Sequence, residues 1–309
     1  GVSEAVVATV QWDGRFSADV QGARAEGGYT VTAVAQDPAG NETTATETNG
    51  SVDTTAPTIN LDAQGTGNDT TPTITGSTDL SPGSSVTITV TDSAGAEQTF
   101  TAIVDSLGNF SADGPNAMAD GNFNVTATAT DAAGNSASDT TSGIINTAVP
   151  NLILDSLGTG NDTTPTISGT TDIAPGSTVS ISVTDSAGNT QTFGAIVQAN
   201  GTFSVDVPAA LSEGNYSVTA SATDGAGNTA TANENGGVID TTAPAAPTVD
   251  AGNGTEITGT AEAGAVVEVD VDGDGTPDFT VIADGDGNWS VTPTTPLADG
   301  VGVTATATD

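Results

Sequence analysis

The chain has 309 residues, 39 acidic side chains against two basic ones, Arg15 and Arg24, and a formal net charge of −37. Without clustered Lys and Arg it cannot grip phosphates, which excludes a nucleic-acid partner and disfavours docking on an anionic membrane surface. With no Lys, His or Cys, it cannot build a disulfide, thiol nucleophile, catalytic triad, Schiff base or usual zinc site.

In chain order, residues 1–57 carry three blocks that return throughout the sequence. They are GRFSADV from Gly14, YTVTAVAQDPAGN from Tyr29 and DTTAP from Asp53. The first block returns as GNFSADG from Gly108, GTFSVDV from Gly201 and GNWSVTP from Gly287. The second returns as FNVTATATDAAGN from Phe123 and YSVTASATDGAGN from Tyr216, and as VGVTATATD ending at Asp309. The third returns as NTAVP from Asn146 and DTTAP from Asp240. Phe16, Phe110, Phe203 and Trp289 are spaced by 94, 93 and 86 residues. High charge and few aromatics are also marks of disorder, but a disordered chain has no reason to hold such a period.

The blocks predict four modules: 1–54, the C-terminal half of a repeat; 55–147; 148–241; and 242–309, which lacks its last strand. The chain therefore reads as a piece of a longer one. No run approaches 18 apolar residues, so no membrane-spanning helix is expected.

Within the second module, seven strands are predicted near 57–62, 71–77, 85–91, 98–104, 109–113, 122–130 and 136–145. Val125-Thr126-Ala127-Thr128-Ala129-Thr130 alternates small apolar and hydroxyl residues, the period-two signature of a half-buried strand. Val86–Val90 and Val179–Val183 do the same. Gly/Asn/Asp/Pro clusters separate the strands, and no helical stripe interrupts them. The third module repeats the second about 93 residues on. The expected fold is all-β, tandem immunoglobulin-like sandwiches in an extended rod. Phe110, Phe203, Trp289, Phe100, Phe193 and Phe279 are predicted core residues, and Tyr29 and Tyr216 predicted tyrosine corners, replaced by Phe123 in the second module.

The combination DTTAPT, NDTTPTITG, VTITVTDSAG, GNFS and VTATATDAAGN resembles the bacterial immunoglobulin-like (Big) repeats of giant RTX adhesins. The resemblance covers essentially the whole chain. It implies a type I-secreted, extracellular protein of the bacterial cell surface, active in adhesion and biofilm. In it these modules are extenders that take up Ca²⁺ at junctions and project a distal ligand-binding region. The partners implied are neighbouring modules of the same chain. Gly65–Asp69 and Gly158–Asp162 resemble a fragment of a calcium-binding nonapeptide. They recur only every 93 residues, so they are expected as single turns.

Ca²⁺ takes six to eight oxygens, several from carboxylates. An up-and-down path through seven strands places three loops at the pole where each linker arrives. For the second module these are Asp79, Asp105 and Asp131–Asn135, meeting Asp53. For the fourth they are Glu262, Asp284–Asp286 and Asp309, meeting Asp240. The third offers Asp172 and Asp224, but its linker carries Asn146, one carboxylate fewer, and should bind more weakly. A separate candidate is Asp270-Val-Asp272-Gly-Asp274-Gly-Thr-Pro-Asp278, an EF-hand-like spacing with Val281 at position twelve. It reads as a hairpin tip. The bland reading of all these residues is that Asp and Asn make turns.

Enzymatic chemistry lacks its parts, since paired carboxylates without exposed aromatic platforms do not make a sugar subsite. A ligand-binding module for sugar, protein or ice is the alternative to a spacer. Thr126, Thr128 and Thr130 form one exposed row, too little for an ice-like array, and the near-identity of the second and third modules favours the spacer.

Overall fold

The computed structural model describes residues 3–250, 252 and 254–309, and all regular structure among them is β-strand. Among the described residues no helix is long and apolar enough to cross a membrane. Contacts divide the chain into two units, 1–150 with 223–230, and 151–222 with 231–309.

The first unit opens with a hairpin of β1 (Gly27–Gln36) and β2 (Glu42–Val52). These two strands pair only with each other, which leaves Tyr29 45 % exposed rather than in a corner. A sandwich follows, made of β3 (Ile59–Leu61), β4 (Thr66–Gly67), β5 (Thr73–Thr78), β6 (Ser85–Thr91), β7 (Glu97–Ile103), β8 (Asn109–Asp113), β9 (Gly121–Thr130) and β10 (Ser136–Ile145). One sheet runs β3-β5-β8 and the other β4-β10-β9-β6-β7. The seven expected strands are present within two residues of their predicted bounds.

Two expectations are corrected. The path is not up-and-down, because consecutive strands cross between the sheets on either side of β4 and at β5–β6, β7–β8 and β8–β9. The expected loops still share a pole, since Thr58 N–H reaches Asp79, Thr78 N–H reaches Gly108 O and Asn135 reaches Asp53 O. Gly65–Asp69 is not a lone turn either. Its Thr66–Gly67 forms β4, in parallel register with Ile144 and Ile145 of β10.

Alternation decides which face is buried. Phe123, Val125, Ala127 and Ala129 of β9 point inward with Val86, Ile88 and Val90 of β6, while Asn124, Thr126 and Thr130 face out. On that outer face Thr126 lies between Thr140 and Thr89, and Thr128 between Ser138 and Thr87. The hydroxyls therefore form cross-strand rows, not the single row expected.

The core is built from Val, Ile and Ala around a few buried rings, and each of these rings lies over a glycine. A Cβ on Gly76 would fall 2.5 Å from Cζ of Phe110, and one on Gly143 2.5 Å from Cζ of Phe123. Phe203 stands over Gly169, Tyr216 over Gly237 and Trp289 over Gly259 in the same way. Phe110, Phe203 and Trp289 are buried as predicted, whereas Phe100, Phe193 and Phe279 are only half-buried. Those three sit on β7 and its counterparts at sheet edges, where nothing flanks them on one side.

The second unit repeats the arrangement with β11 (Leu152–Leu154), β12 (Thr159–Gly160), β13 (Thr166–Thr171), β14 (Thr178–Thr184), β15 (Thr190–Ile196), β16 (Thr202–Asp206), β17 (Gly214–Thr223) and β18 (Thr229–Ile239). Its sheets run β11-β13-β16 and β12-β18-β17-β14-β15, with Thr159–Gly160 again a short parallel strand where a turn was expected. A smaller pair of sheets follows. β19 (Ile257–Thr260) pairs with β22 (Asn288–Val291), and β20 (Val266–Asp270) lies between β21 (Phe279–Ile282) and β23 (Thr304–Thr308).

Candidate functional site

With two cations in the chain, carboxylates must find other partners. Among the described residues the ion pairs are Arg24–Glu4 at 2.5 Å and Arg15–Asp13 at 4.0 Å. Backbone N–H groups take the cations' place. Asp131 Oδ1 accepts from the N–H groups of Ala133 and Asn135, both at 2.9 Å, and Oδ2 accepts from Asn135 Nδ2 at 2.8 Å. The same +2 and +4 pattern recurs at Asp37, Asp92, Asp105, Asp185, Asp224 and Asp284. The residue at +3 is always Gly with φ between +81° and +96°, a left-handed position that other side chains resist. These hydrogen bonds favour the ionised form, and all seven carboxyls lie below their ordinary value. The Asn135 side chain is the largest cause at Asp131, and the Asn228 side chain at Asp224.

Two of these loops reach a linker. Asn135 Nδ2 donates to the backbone carbonyl of Asp53 at 3.1 Å. Asn228 Nδ2 donates to the carbonyl of Asn146 at 2.8 Å, and Asn146 Nδ2 donates to Asp224 Oδ2 at 3.3 Å. The Asn68 N–H also donates to Ala226 O at 3.1 Å. The expected meetings of Asp53 with Asp131–Asn135 and of Asn146 with Asp224 are thus in place. The contact passes through the Asn amide, which the sequence reading did not single out. Asp53, Asn146 and Asp240 each turn their own side-chain oxygen back onto the N–H two residues on, at 3.1 Å.

Beyond the linker proline, Asp79 Oδ1 accepts from Thr58 N–H at 2.8 Å, and Asp172 Oδ1 from Asn151 N–H at 2.8 Å. Both therefore act on the entering strand. Asp105 caps its own turn through Oδ1, and the turn is joined to β5 by the Thr78 N–H to Gly108 carbonyl bond of 2.8 Å.

A second set of carboxylates holds the linkers from the other side, and sequence reasoning missed it. Asp120 accepts from Thr147 N–H at 3.1 Å and from Thr147 Oγ1 at 2.8 Å. Glu213 accepts from Thr241 Oγ1 at 2.6 Å and Thr242 Oγ1 at 2.5 Å. Glu26 accepts from Thr54 Oγ1 at 3.5 Å and also from Thr55 Oγ1. The two threonines hold the Glu213 carboxyl below its ordinary value. A signal was readable: Glu26-Gly-Gly-Tyr29, Asp120-Gly-Asn-Phe123 and Glu213-Gly-Asn-Tyr216 recur at 94 and 93 residues.

In the fourth module the expected acids do not converge on Asp240 by any hydrogen bond among the described residues. Asp284 caps its own turn through Asp286 N–H at 3.0 Å and Asn288 N–H at 2.8 Å. Glu262 accepts a turn bond through its backbone carbonyl, and Asp286 and Asp309 are exposed.

The tip between β20 and β21 is different. Carboxylate oxygens of Asp270, Asp272 and Asp278 lie within 4.8 Å of one another, which no other three acidic groups among the described residues do. The chain curls so because Asp270 accepts from Gly273 N–H at 2.7 Å and Gly275 N–H at 3.0 Å, the largest causes of its lowered carboxyl. Asp278 Oδ2 accepts from Val271 N–H at 2.9 Å. Asp274 stays outside the cluster, capping Thr276.

A bacterial Ig-like domain family model matches residues 59–147 and 155–241, and a bacterial Ig domain model matches 243–309. No curated protein matches. Among solved structures, the chain is similar to a tetra-tandem repeat in the extending region of a large adhesion protein. The identity is 31 %, covering 97 % of this chain and 83 % of that one, with a TM-score of 0.35. It is also similar to a Ca²⁺-stabilized adhesin with which an Antarctic bacterium binds ice, at 23 % identity over 91 % of this chain and 80 % of that one, TM-score 0.39. A 1.5-MDa bacterial ice-binding adhesin gives 20 % identity over 83 % and 98 %, TM-score 0.36.

Proposed function

The chain belongs to the bacterial Ig-like domain family, and from that premise we propose that it is a structural extender of a bacterial cell-surface adhesin. It acts outside the cell, carries no catalytic activity, and holds a distal ligand-binding region away from the surface. Its modules are those of the sequence periods, with boundaries near 54, 148 and 242. Its partners are the modules before and after it in the same longer chain.

The observation that carries this reading is the repetition of one linker arrangement. Asn135 on Asp53 O and Asn228 on Asn146 O are the same bond, 93 residues apart. A module that recognises a ligand needs one distinctive face, whereas a spacer needs the same joint each time. Short linkers ending in Pro57 and Pro150 leave the backbone little freedom there, since Pro fixes its own φ and restricts the residue before it.

Ca²⁺ belongs to this proposal as the stiffening ion. It is a hard cation for oxygen donors, and the chain supplies an excess of carboxylates with almost no internal counter-charge. Asp270, Asp272 and Asp278 have the donor type and mutual distance for it. Asp53, Asp79, Asp105, Asp131, Asp172, Asp224, Asp240, Glu262, Asp284, Asp286 and Asp309, with Asn146, are the residues proposed to supply oxygens at junctions. Bound there, the ion would neutralise the facing carboxylates and remove what freedom the linker keeps.

Small-angle X-ray scattering with and without chelator tests the reading. Two complete modules should span about 70–90 Å in Ca²⁺, from strand rise and pole loops. The ensemble should become shorter and more variable in chelator. Equal maximum dimensions, or a compact particle in Ca²⁺, would overturn the stiffened spacer and favour a ligand-binding module.

A further inference from the structure

The three linkers leave their modules under the same restraint. Each follows a last strand, and each sends a threonine back to an acid placed just before a glycine of positive φ. Gly27, Gly121 and Gly214 take φ of +121°, +118° and +110°, which turns the chain so that the preceding side chain faces the strand end. A Cβ at Gly121 would lie 2.7 Å from Cβ of Ser93, so the turn also needs glycine for space.

Side-chain length matches linker composition. Glu26 and Glu213, one methylene longer, each span two consecutive hydroxyls, Thr54 with Thr55 and Thr241 with Thr242. The middle linker has Ala148 after Thr147, so one hydroxyl is missing. There the shorter Asp120 takes both the hydroxyl and the backbone N–H of Thr147. Two donors meet one carboxylate in every case. Hydrogen bonds to a charged acceptor are about twice as strong as neutral ones, so an exposed tie of this kind holds.

We infer that Glu26, Asp120 and Glu213 are linker-positioning residues, each tying a linker to the module it leaves through hydrogen bonds that require no cation. The purpose of the tie rests on the spacer reading; the tie itself does not. With it, cation withdrawal leaves the linker fastened to the module it leaves.

Amide hydrogen exchange on the full chain in chelator tests this. Thr147 N–H should be protected in the parent protein and exchange about tenfold faster or more in Asp120→Ala, the loss expected for a charge-assisted bond. Amides inside β9 and β10 should be unchanged. Should Asp120→Ala not fold, Thr147→Val removes only the hydroxyl and should speed exchange at position 147 by a few-fold. Unchanged exchange in the folded variant overturns the tie. So does protection of Thr147 that appears only with Ca²⁺, because a cation and not the carboxylate would then hold the linker. Loss of the tie with a Ca²⁺-dependent scattering dimension retained would leave the spacer reading standing, and the reverse result would remove that reading alone.

Discussion

Asn228 donates its side-chain amide to the backbone carbonyl of Asn146, 82 positions earlier, at 2.8 Å, while its own backbone and side chain also hold Asp224. One residue thus closes a turn and fastens a linker. Asn135 does the same for Asp131 and Asp53. Asn suits this double role because its amide offers two N–H donors, one for each acceptor.

Asn228→Ala should therefore cost more than an ordinary polar truncation. Asn228 is 8 % exposed, and its truncation takes one partner from the Asn146 carbonyl and one from Asp224, both half-buried. A loss of about 1–2 kcal/mol is expected in urea unfolding. Asn135→Ala, at a less buried position, should lose less. Equal, negligible losses at both positions would count against the linker contact.

The strands were legible in the sequence because burial imposes a period of two on Val125–Thr130, and the buried rings because Phe110, Phe203 and Trp289 recur in register. The turn role of Asp was also legible, since Asp-x-x-Gly-Asn carries its own mechanism. The carboxylate–threonine ties were not found, because a single polar contact across 27 residues leaves no period of its own. Only the recurrence of Glu/Asp-Gly before an aromatic marked them. β4 and β12 were missed because two residues are too few to show alternation. Where carboxylates come together was legible only at Asp270–Asp278, where neighbours in sequence are neighbours in space.

Gly76→Ala probes the ring-over-glycine core. Its Cβ would meet Phe110 Cζ at 2.5 Å, with the Asn60 carbonyl also in the way. Neither can retreat without moving a strand, since Gly76 pairs with Leu61 on one side and Phe110 on the other. Overpacking of this kind costs about 1–3 kcal/mol. Gly65→Ala, which meets nothing within 4 Å, is the matched control and should be near neutral in thermal unfolding.

Acid should destabilise the fold through the turn carboxylates. Asp131, Asp224, Asp105 and Asp284 lie below their ordinary 3.8 and Glu213 below its 4.5 when folded. The unfolded chain therefore binds protons first as pH falls. Their contribution is fully present above about pH 5 and lost as pH drops through the folded values. The melting temperature should be flat from about pH 5 to 8 and fall below about pH 4. Monotonic stabilisation on acidification would show that relief of the −37 charge outweighs the turns.

Ca²⁺ should act most simply at the β20–β21 tip. Extracellular calcium modules bind at about 10⁻⁴ to 10⁻³ M, so millimolar Ca²⁺ should raise the melting temperature by roughly 5 °C if that tip is the weakest element. Asp278→Asn removes one of the three clustered carboxylates but keeps an oxygen to accept from Val271 N–H. It should abolish the shift attributable to the tip while leaving chelated stability unchanged. A shift of undiminished size in calorimetry would place the ion elsewhere.

Asn146→Asp is the sharpest test of the junctions, because its effect should change sign with Ca²⁺. In the parent chain Asn146 Nδ2 donates to Asp224 Oδ2 at 3.3 Å. The substitution deletes that donor and sets a second carboxylate against one that the Asn228 side chain already keeps ionised. In chelator the two like charges repel and the variant should melt below the parent. Added Ca²⁺ then finds the carboxylate that the Asp53 and Asp240 linkers carry and this one lacks. Affinity for Ca²⁺ rises with the charge of the ligand set, so the variant should gain more from millimolar Ca²⁺ than the parent does. The melting temperatures should cross as Ca²⁺ is titrated. A variant that is less stable at every Ca²⁺ concentration, with no larger response than the parent, would mean that Asn146 serves as a hydrogen-bond donor and that no ion is held there.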